Sequence, residues 1–400
     1  MAVLPSTALG QFIAFLFLAT ALKETGASAF WFAAPAILLS SLMIAWAAES
    51  AQYFVAQGFA LAILALLQTL PEFAVEAVLA WHQKADLLLA NLTGALRLLT
   101  GLGWPLIYLF AAIPHRRRTG QPLGHIELEE HHAVEVMGLL VPLLYVPVIA
   151  IKGSLTIWDG AILTAAYAVY VVILSRLPSE DHETVDDLDR IPRAIVLARK
   201  PNRILAITAL FLCGGALIYF NTETFASSLV AMALLFGVPQ FVLFQWIAPL
   251  ISEFPELFTT LYWAVRPGRG SMSLMNMVSS NINQWTLLPA MLPVIYSMSI
   301  GAPTPIVFDG QQKIELWLTI AQAVLGLMFL INMQLAWWEA LALGALFTVP
   351  FANARLAPYV TWIYFAWAAV ELVRIFIGQR EPRAFRLFAK VWNAHVRGVM

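Results

Sequence analysis

The sequence predicts an all-α polytopic membrane protein whose ten-helix core consists of two inverted five-helix repeats, with an extra transmembrane helix at each end. Three observations predict this architecture. Of the 400 residues, 60% are hydrophobic and only 12% are charged, a composition typical of a chain surrounded by lipid. Apolar runs of about twenty residues, enough to cross the hydrocarbon, occur about twelve times. In each half of the chain a Pro-Glu pair, Pro71-Glu72 or Pro255-Glu256, interrupts such a run.

The predicted spans follow these apolar runs in order. Those of the first half lie near residues 8–22, 30–49, 53–82, 87–112, 133–151 and 157–175, and those of the second half near 203–220, 225–265, 273–299, 315–333, 335–351 and 357–377. The run at 225–265 is too long for one straight crossing, and Pro239, Pro249 and Pro255 predict that it bends or breaks. Small residues, Gly26 to Ala29, follow the first run, so a cleaved signal peptide is the alternative to an N-terminal span, and the absence of a Lys or Arg before the run counts against it.

The charged residues of the loops predict the orientation. If the N-terminus is cytoplasmic, the loops richest in Lys and Arg all fall on the cytoplasmic side, as the positive-inside rule requires. These are Arg116–Arg118, residues 176–203, Arg266 with Arg269, and the tail from Arg380. Both termini are then cytoplasmic, and the short loops indicate a bacterial inner (plasma) membrane.

The same reasoning divides the chain into five parts. Residues 1–29 are expected to form the extra N-terminal helix, 30–175 the first repeat, 176–202 a cytoplasmic linker, 203–351 the second repeat, and 352–400 the extra C-terminal helix with a basic cytoplasmic tail. Cys213 is the only cysteine, which excludes an intrachain disulfide and a cysteine-built metal site. We find no phosphate-binding loop, nucleophile triad or nucleic-acid patch. The expected partners are the lipid bilayer and small inorganic cations, and no cofactor is expected.

The two Pro-Glu breaks predict an ion site. Each is followed by another apolar run that opens with an asparagine, Asn91 in one half and Asn276 in the other. A proline frees backbone carbonyls of a helix, and a carboxylate inside the membrane is costly enough to indicate a function. Inverted repeats bring two such breaks together near the midplane of the membrane. Two coincidental kinks do not explain acids at matching positions.

The residues around these breaks resemble a known family. Thr69-Leu70-Pro71-Glu72 with Asn91–Ala95, and Glu253-Phe254-Pro255-Glu256 with Asn276–Asn281, are similar to the two alpha repeats of the sodium/calcium exchangers and the wider cation/calcium exchanger superfamily. The resemblance implies a secondary active antiporter that moves Ca²⁺, or another cation, against Na⁺ or H⁺ by alternating access.

The resemblance also implies which residues bind the ion. Glu72 and Glu256 are expected to be the central carboxylates, because Ca²⁺ takes about six to eight oxygen ligands of irregular geometry. The other expected ligands are oxygen-bearing side chains from the same two segments: Gln68, Thr69, Glu76, Asn91, Ser252, Glu253, Asn276, Ser280 and Gln284.

The chain departs from the family pattern at several of these positions. Glu253 stands where the family has a small hydroxyl residue, and Gly94-Ala95-Leu96 replaces a Gly-Ser-Asn motif. Arg97 follows, and we expect its guanidinium to pair with one or more of the glutamates at 72, 76, 253 and 256. On one interpretation Arg97 is a fixed internal counter-charge that replaces a transported ion. On the other it forms a structural salt bridge with Glu253 that closes the site.

A second cluster of possible ligands lies in the loop after the fourth span. His125, Glu127, His131 and His132 are candidates for a weak regulatory divalent-metal site, or for the ligands of a membrane-embedded metal-dependent enzyme. Their spacing differs from the zinc-binding His-Glu-x-x-His pattern, and a solvated charged loop is the other explanation. The alternatives to an antiporter are therefore such an enzyme or a relative that no longer transports.

Overall fold

The structure is a computed structural model that describes residues 10, 26–51, 54, 69–177, 188 and 190–397. The helices and strands up to the middle of the chain are α1 (Phe30–Ala51), α2 (Leu70–Trp81), α3 (Ala85–Leu98), α4 (Trp104–Thr119), β1 (His125–Glu127), α5 (Ala133–Lys152), β2 (Ser154–Leu155), α6 (Ile157–Leu174) and α7 (Arg190–Leu197). A five-residue π-helix, Leu99–Gly103, joins α3 to α4. The predicted N-terminal span near 8–22 lies outside the described residues.

The second half repeats this order of elements. It contains α8 (Lys200–Phe236), α9 (Gln240–Ser252), α10 (Phe254–Ala264), α11 (Gly270–Trp285), α12 (Leu287–Ile300), β3 (Ile306–Val307), α13 (Gly310–Leu330), β4 (Gln334–Ala336), α14 (Trp337–Ala352), α15 (Ala357–Phe376) and α16 (Arg383–Val391). Capping boxes begin α6 at Thr156 and α13 at Asp309, where each cap accepts a hydrogen bond from the backbone of the third helical residue.

Two short antiparallel sheets show that the halves run in opposite directions. β1 precedes α5 and pairs with β4, whereas β2 precedes α6 and pairs with β3. Thus α5 runs from the β1–β4 sheet to the β2–β3 sheet, and α13 runs back from the β2–β3 sheet to the β1–β4 sheet. Because α5 and α13 hold the same place in their halves, the halves are inverted repeats. We call the two ends of the molecule the β1–β4 end and the β2–β3 end.

Seven described segments are long and apolar enough to cross a membrane, α3 and α4 counting as one with the π-helix between them, and the bent pair α9–α10 makes an eighth. The predicted count of about twelve spans is therefore not confirmed. Two predicted spans that lie within the described residues, 273–299 and 335–351, are not among these segments. The first is divided into α11 and α12, of 16 and 14 residues, and the second is α14, which has 16 residues.

The predicted boundary between the spans at 203–220 and 225–265 is wrong. α8 continues through this boundary, and its polar residues do not interrupt it, because Asn221 donates to the carbonyl of Leu217 and Thr222 to that of Ile218. The helix ends instead where Gly237 adopts the left-handed conformation, with φ of 64°. α8 packs along α1, the helix that holds the same place in the first repeat.

The break predicted in the second repeat is present. α9 and α10 are bent by 56° relative to each other, and Glu253 lies at the junction. In the first repeat α2 begins at Leu70 with Pro71 in its first turn, and the residues before Thr69 lie outside the described residues. Proline suits this position, because the first turn of a helix has no intrahelical acceptor for the backbone N–H that proline lacks.

The segment that follows the second repeat closes the β1–β4 end. Arg380 is buried after α15, and its guanidinium lies 2.7 Å from Glu339 Oε1 and 2.9 Å from Glu371 Oε2. It also donates to the carbonyl of Phe329, 2.7 Å away. Arg374 pairs with Glu371 at 3.0 Å, as their helical spacing predicts. The C-terminal helices are thereby joined to α13 and α14.

Candidate functional site

Four glutamate side chains are buried where the helix breaks of the two repeats lie. Glu72 and Glu76 belong to α2, Glu253 lies between α9 and α10, and Glu256 is in the first turn of α10. None of the four residues is more than 6% exposed. Glu72 and Glu256 occupy the first turns of their helices, where unpaired backbone N–H groups stabilise negative charge. The sequence thus brings both predicted central carboxylates to helix N-termini.

The two breaks contact each other. The hydroxyl of Ser252, at the end of α9, lies within hydrogen-bonding reach of the Glu72 carboxylate, which is also close enough to Glu256 for their charges to interact. Asn283 Nδ2 of α11 donates to Thr69 Oγ1, 2.5 Å away. Thr69, Glu72, Ser252 and Glu256, predicted as ligands from two distant segments, therefore lie in one place.

The second repeat supplies further polar groups from α11. Ser280 hydrogen-bonds to Glu256, and Gln284 Nε2 donates to Glu253 Oε1. The carboxyl groups of Glu253 and Glu256 also lie within hydrogen-bonding reach of each other. A hydrogen bond between two carboxyl groups requires a proton on one of them, because an ionised carboxylate only accepts. This pair is therefore able to share a proton.

Each of the four carboxylates has an oxygen with no hydrogen-bond partner. These atoms are Oε2 of Glu72, Glu76 and Glu253 and Oε1 of Glu256, all buried. Oxygens of this kind suit a hard cation. Among the described residues, however, no three carboxylate, imidazole or thiolate groups are grouped closely enough to hold a metal ion. A bound Ca²⁺ would therefore also need hydroxyl, amide or carbonyl oxygens, and Ser252, Ser280 and Gln284 carry such oxygens beside these acids.

The expected pairing of Arg97 with these glutamates is wrong. Its Nη1 lies 2.9 Å from Oε2 of Glu315 on α13, and its Nε is 3.3 Å from the carbonyl of Thr93. The guanidinium also lies over the ring of Trp246, 5.2 Å from its centroid. Glu253 instead accepts a hydrogen bond from Gln284 and lies beside Glu256. A salt bridge between Arg97 and Glu253 therefore does not close the site. Glu315 is far from Arg97 in the sequence and approaches it only through the packing of α13 on α3, so the sequence motifs did not indicate this partner.

Two predicted ligands have other placements. Asn91 Nδ2 donates a hydrogen bond to Glu76 Oε1, 2.9 Å away. This asparagine is therefore a partner of Glu76, the second acidic residue of α2. Nδ2 of Asn276 on α11 is buried without a hydrogen-bond partner among the described residues. Gln68 lies outside the described residues.

The structure does not gather the candidate metal ligands of the loop. His125 and Glu127 are on the exposed face of β1, and Glu127 pairs with Arg383 at 3.6 Å. His132 is buried with its Nδ1 3.6 Å from Glu135 Oε1, and its ring lies 4.1 Å from that of His131. His125 and Glu127 are held in the β1–β4 sheet, whereas His131 and His132 lie outside it. The described residues contain no group of three side chains that could hold a metal ion.

Sequence reasoning missed the polar partners of Arg97. Gln245 Nε2 of α9 donates to Glu315 Oε2, 2.8 Å away, and Gln322 Nε2 of α13 donates to the carbonyl of Arg97 at 2.9 Å. The available signal was Glu315 itself, an acid at the start of an apolar run in a chain that also buries an arginine.

Comparison with known proteins gives a family and a fold. A family model described as sodium/calcium exchanger protein matches residues 27–176 and 206–351. The crystal structure of the H⁺/Ca²⁺ exchanger CAX superposes with a TM-score of 0.88 at 29% identity, over 97% of this chain and 98% of that one. The sodium-calcium exchanger NCX_Mj, soaked with 2.5 mM Na⁺ and 10 mM Sr²⁺, superposes with a TM-score of 0.53 at 18% identity, over 82% of this chain and 97% of that one, which supports the fold alone.

No curated protein matches the sequence significantly. The two stretches matched by the family model cover most of both repeats and more than half of the chain. The protein is thus a multi-pass membrane protein, and it belongs to the sodium/calcium exchanger protein family.

Proposed function

We propose that the protein is a secondary active antiporter that moves Ca²⁺ against H⁺ by alternating access at Glu72, Glu253 and Glu256. Glu72 and Glu256 are the central ligands, and Ser252, Ser280 and Gln284 supply further oxygens. The observation that carries this proposal is the group of buried carboxylate oxygens from both repeats that lack hydrogen-bond partners. Buried ionisable groups without basic partners are too costly to be retained in a membrane for packing alone.

Arg97 does not neutralise this site. Its charge is balanced by Glu315, so the glutamates at the breaks keep their attraction for cations. Among the described residues, no Lys or Arg side chain forms a salt bridge with Glu72, Glu253 or Glu256. A divalent ion can supply the missing positive charge when it binds, and protons can supply it when the ion leaves.

The pair formed by Glu253 and Glu256 favours protons over Na⁺ as the coupling ion. Glu253 replaces a small hydroxyl residue of the family pattern, and a hydrogen bond between its carboxyl group and that of Glu256, which lies within reach, needs a proton. Ca²⁺ binding at Glu256 must displace that proton, which links the two ions at one site. The likeness to the H⁺/Ca²⁺ exchanger CAX over 97% of this chain supports the same choice.

The proposed setting is the inner membrane of a bacterium, with the β1–β4 end in the cytoplasm. Arg116–Arg118 close α4 just before β1, and Arg266 and Arg269 just precede α11, whose Gly270 lies beside Ile126 of β1. Arg380 also lies at this end, beside Glu339. The positive-inside rule then assigns the end richest in arginine to the cytoplasm.

The experiment is ⁴⁵Ca²⁺ uptake into proteoliposomes with an acidic interior, compared with uptake driven by internal Na⁺. We expect the pH gradient to drive uptake and the Na⁺ gradient to drive little. Glu72→Gln and Glu256→Gln should abolish it, because each removes a central charge. Glu381→Gln, an exposed acid in the segment before α16, is the matched control and should transport normally. Uptake driven by Na⁺ alone would overturn proton coupling, and transport that survives the loss of both Glu72 and Glu256 would overturn the site.

A further inference from the structure

The buried ion pair of Arg97 and Glu315 lies next to α9, the half-helix that leads to the second break. Glu315 Oε2 accepts hydrogen bonds from both Arg97 Nη1 and Gln245 Nε2, at 2.9 and 2.8 Å. Trp246, the next residue of α9, lies against the guanidinium. Both members of the ion pair therefore contact α9, although neither belongs to it.

α9 is also pressed closely against α3 at this level. A Cβ atom built on Gly94 would lie 2.1 Å from the carbonyl oxygen of Gln245, so only glycine permits the approach. Gly94 is about one helical turn before Arg97 on α3. The close packing at Gly94 and the ion pair at Arg97, one helical turn apart on α3, thus contact the same part of α9.

The inverted repeat supplies an internal comparison. Arg97 corresponds to Ile282 of α11, and Glu315 corresponds to Gly138 of α5, by their positions within the repeated helices. These counterparts also touch, since a Cβ on Gly138 would lie 3.1 Å from Ile282 Cδ1. The same contact is therefore an ion pair in one half and an apolar contact in the other.

We propose that Arg97 and Glu315 are positioning residues that act through Gln245, holding α9 so that Ser252 and Glu253 at its end keep their places beside Glu72 and Glu256. α9 ends at Ser252, about two helical turns beyond Gln245. A shift of α9 along its axis would move Ser252 away from the Glu72 carboxylate. This contact is an ion pair in only one repeat, and the ion pair anchors α9 by charge. α9 leads to two of the groups at the site, Ser252 and Glu253.

This inference rests on the proposed function, since it assigns the pair to the affinity of that site for Ca²⁺. The pair itself stays out of the ligand set, because Glu315 is occupied by Arg97 and Gln245. A buried pair of this kind contributes little net stability compared with apolar packing, so a role in placing α9 gives it a function that packing alone would not require.

The decisive variant is Gln245→Leu, which leaves the ion pair intact and removes its hydrogen bond to α9. The matched control is Gln322→Leu, which removes a hydrogen bond to the backbone of Arg97 from α13 without touching α9. In proteoliposomes we expect Gln245→Leu to raise the KM for Ca²⁺ about fivefold, the size of one hydrogen bond, with a smaller change in kcat. Gln322→Leu should leave KM within about twofold.

Amide hydrogen exchange tests the same inference without transport. Amide exchange of α9 should be faster in Gln245→Leu than in the wild-type protein and unchanged in Gln322→Leu, because only the first variant removes a hydrogen bond between the ion pair and α9. Equal KM values for the two variants, or equal exchange of α9, would overturn the inference. Wild-type protein that takes up no Ca²⁺ under either gradient would instead refute the proposed function. The amide hydrogen exchange of α9 would still decide whether the ion pair anchors that helix.

Discussion

The hydroxyl of Ser252 on α9 lies within hydrogen-bonding reach of the Glu72 carboxylate on α2, so a side chain of the second repeat contacts the central acid of the first. In the second repeat the proposed central acid is Glu256. The hydroxyl that lies within hydrogen-bonding reach of it belongs to Ser280, a residue of the same repeat. The residue that corresponds to Ser280 in the first repeat is Ala95, which has no hydroxyl. The site is therefore not symmetric, although the helices around it are.

Ser280→Ala should weaken Ca²⁺ binding about three- to tenfold, because it removes one oxygen ligand and one hydrogen bond to Glu256. The matched control is Ser279→Ala on the same helix, whose hydroxyl lies 3.2 Å from the hydroxyl of Tyr170. Equilibrium ⁴⁵Ca²⁺ binding to purified protein measures both. Equal losses of affinity in the two variants would argue against Ser280 as a ligand.

Glu253→Gln should reduce the pH dependence of Ca²⁺ affinity. In the wild-type protein, protons and Ca²⁺ compete for the same carboxyl groups, so affinity should rise as the pH rises and the groups lose their protons. Replacing Glu253 removes one of these groups, so the slope of log affinity against pH should fall by about one proton at most. Binding isotherms between acidic and alkaline pH give the slope, and an unchanged slope would mean that Glu253 does not take part in coupling.

Gly94→Ala should destabilise the protein by about 1–3 kcal/mol or more, because the added methyl group would meet the Gln245 carbonyl at 2.1 Å. Gly215→Ala on α8 is the control, since nothing lies within 4 Å of the corresponding position. Thermal unfolding in detergent compares the two. A stable Gly94→Ala protein would show that α3 and α9 are not packed as described.

Arg380→Gln should cost about 3–5 kcal/mol, because it leaves Glu339 buried without a basic partner and leaves Glu371 paired with Arg374 alone. Lys390→Gln breaks an ion pair with Glu130 whose two side chains are more than half exposed, so it should change the unfolding midpoint far less. Unfolding measured by the same thermal assay gives both values. Similar midpoints for the two variants would contradict the view that Arg380 joins the C-terminal segment to the second repeat.

Local signals explain what could be predicted from the sequence. A proline followed by an acid inside an apolar run is visible without any tertiary contact, and it correctly predicted the break between α9 and α10. Hydropathy alone misplaced the end of the span at 203–220. The polar residues Asn221 and Thr222 resemble a loop in composition, yet their side chains bond to carbonyls of their own helix.

Partners distant in the chain explain what could not be predicted. Arg97 had four plausible glutamates near it by motif, and its true partner, Glu315, is brought to it by the packing of α13 against α3. The role of Asn91 also depended on tertiary geometry, since it faces Glu76. Spacing within a helix gives neighbours on that helix, and it carries no information about which helix passes beside it.

The most direct test of the central claim is whether Ca²⁺ binding to the purified protein releases protons. Calorimetric titration in two buffers of different protonation enthalpy measures the number released. The account predicts that the wild-type protein releases about one proton or more per Ca²⁺, and that Glu72→Gln binds Ca²⁺ about 100-fold more weakly. Ca²⁺ binding with no proton release, or equal affinity in Glu72→Gln, would contradict it.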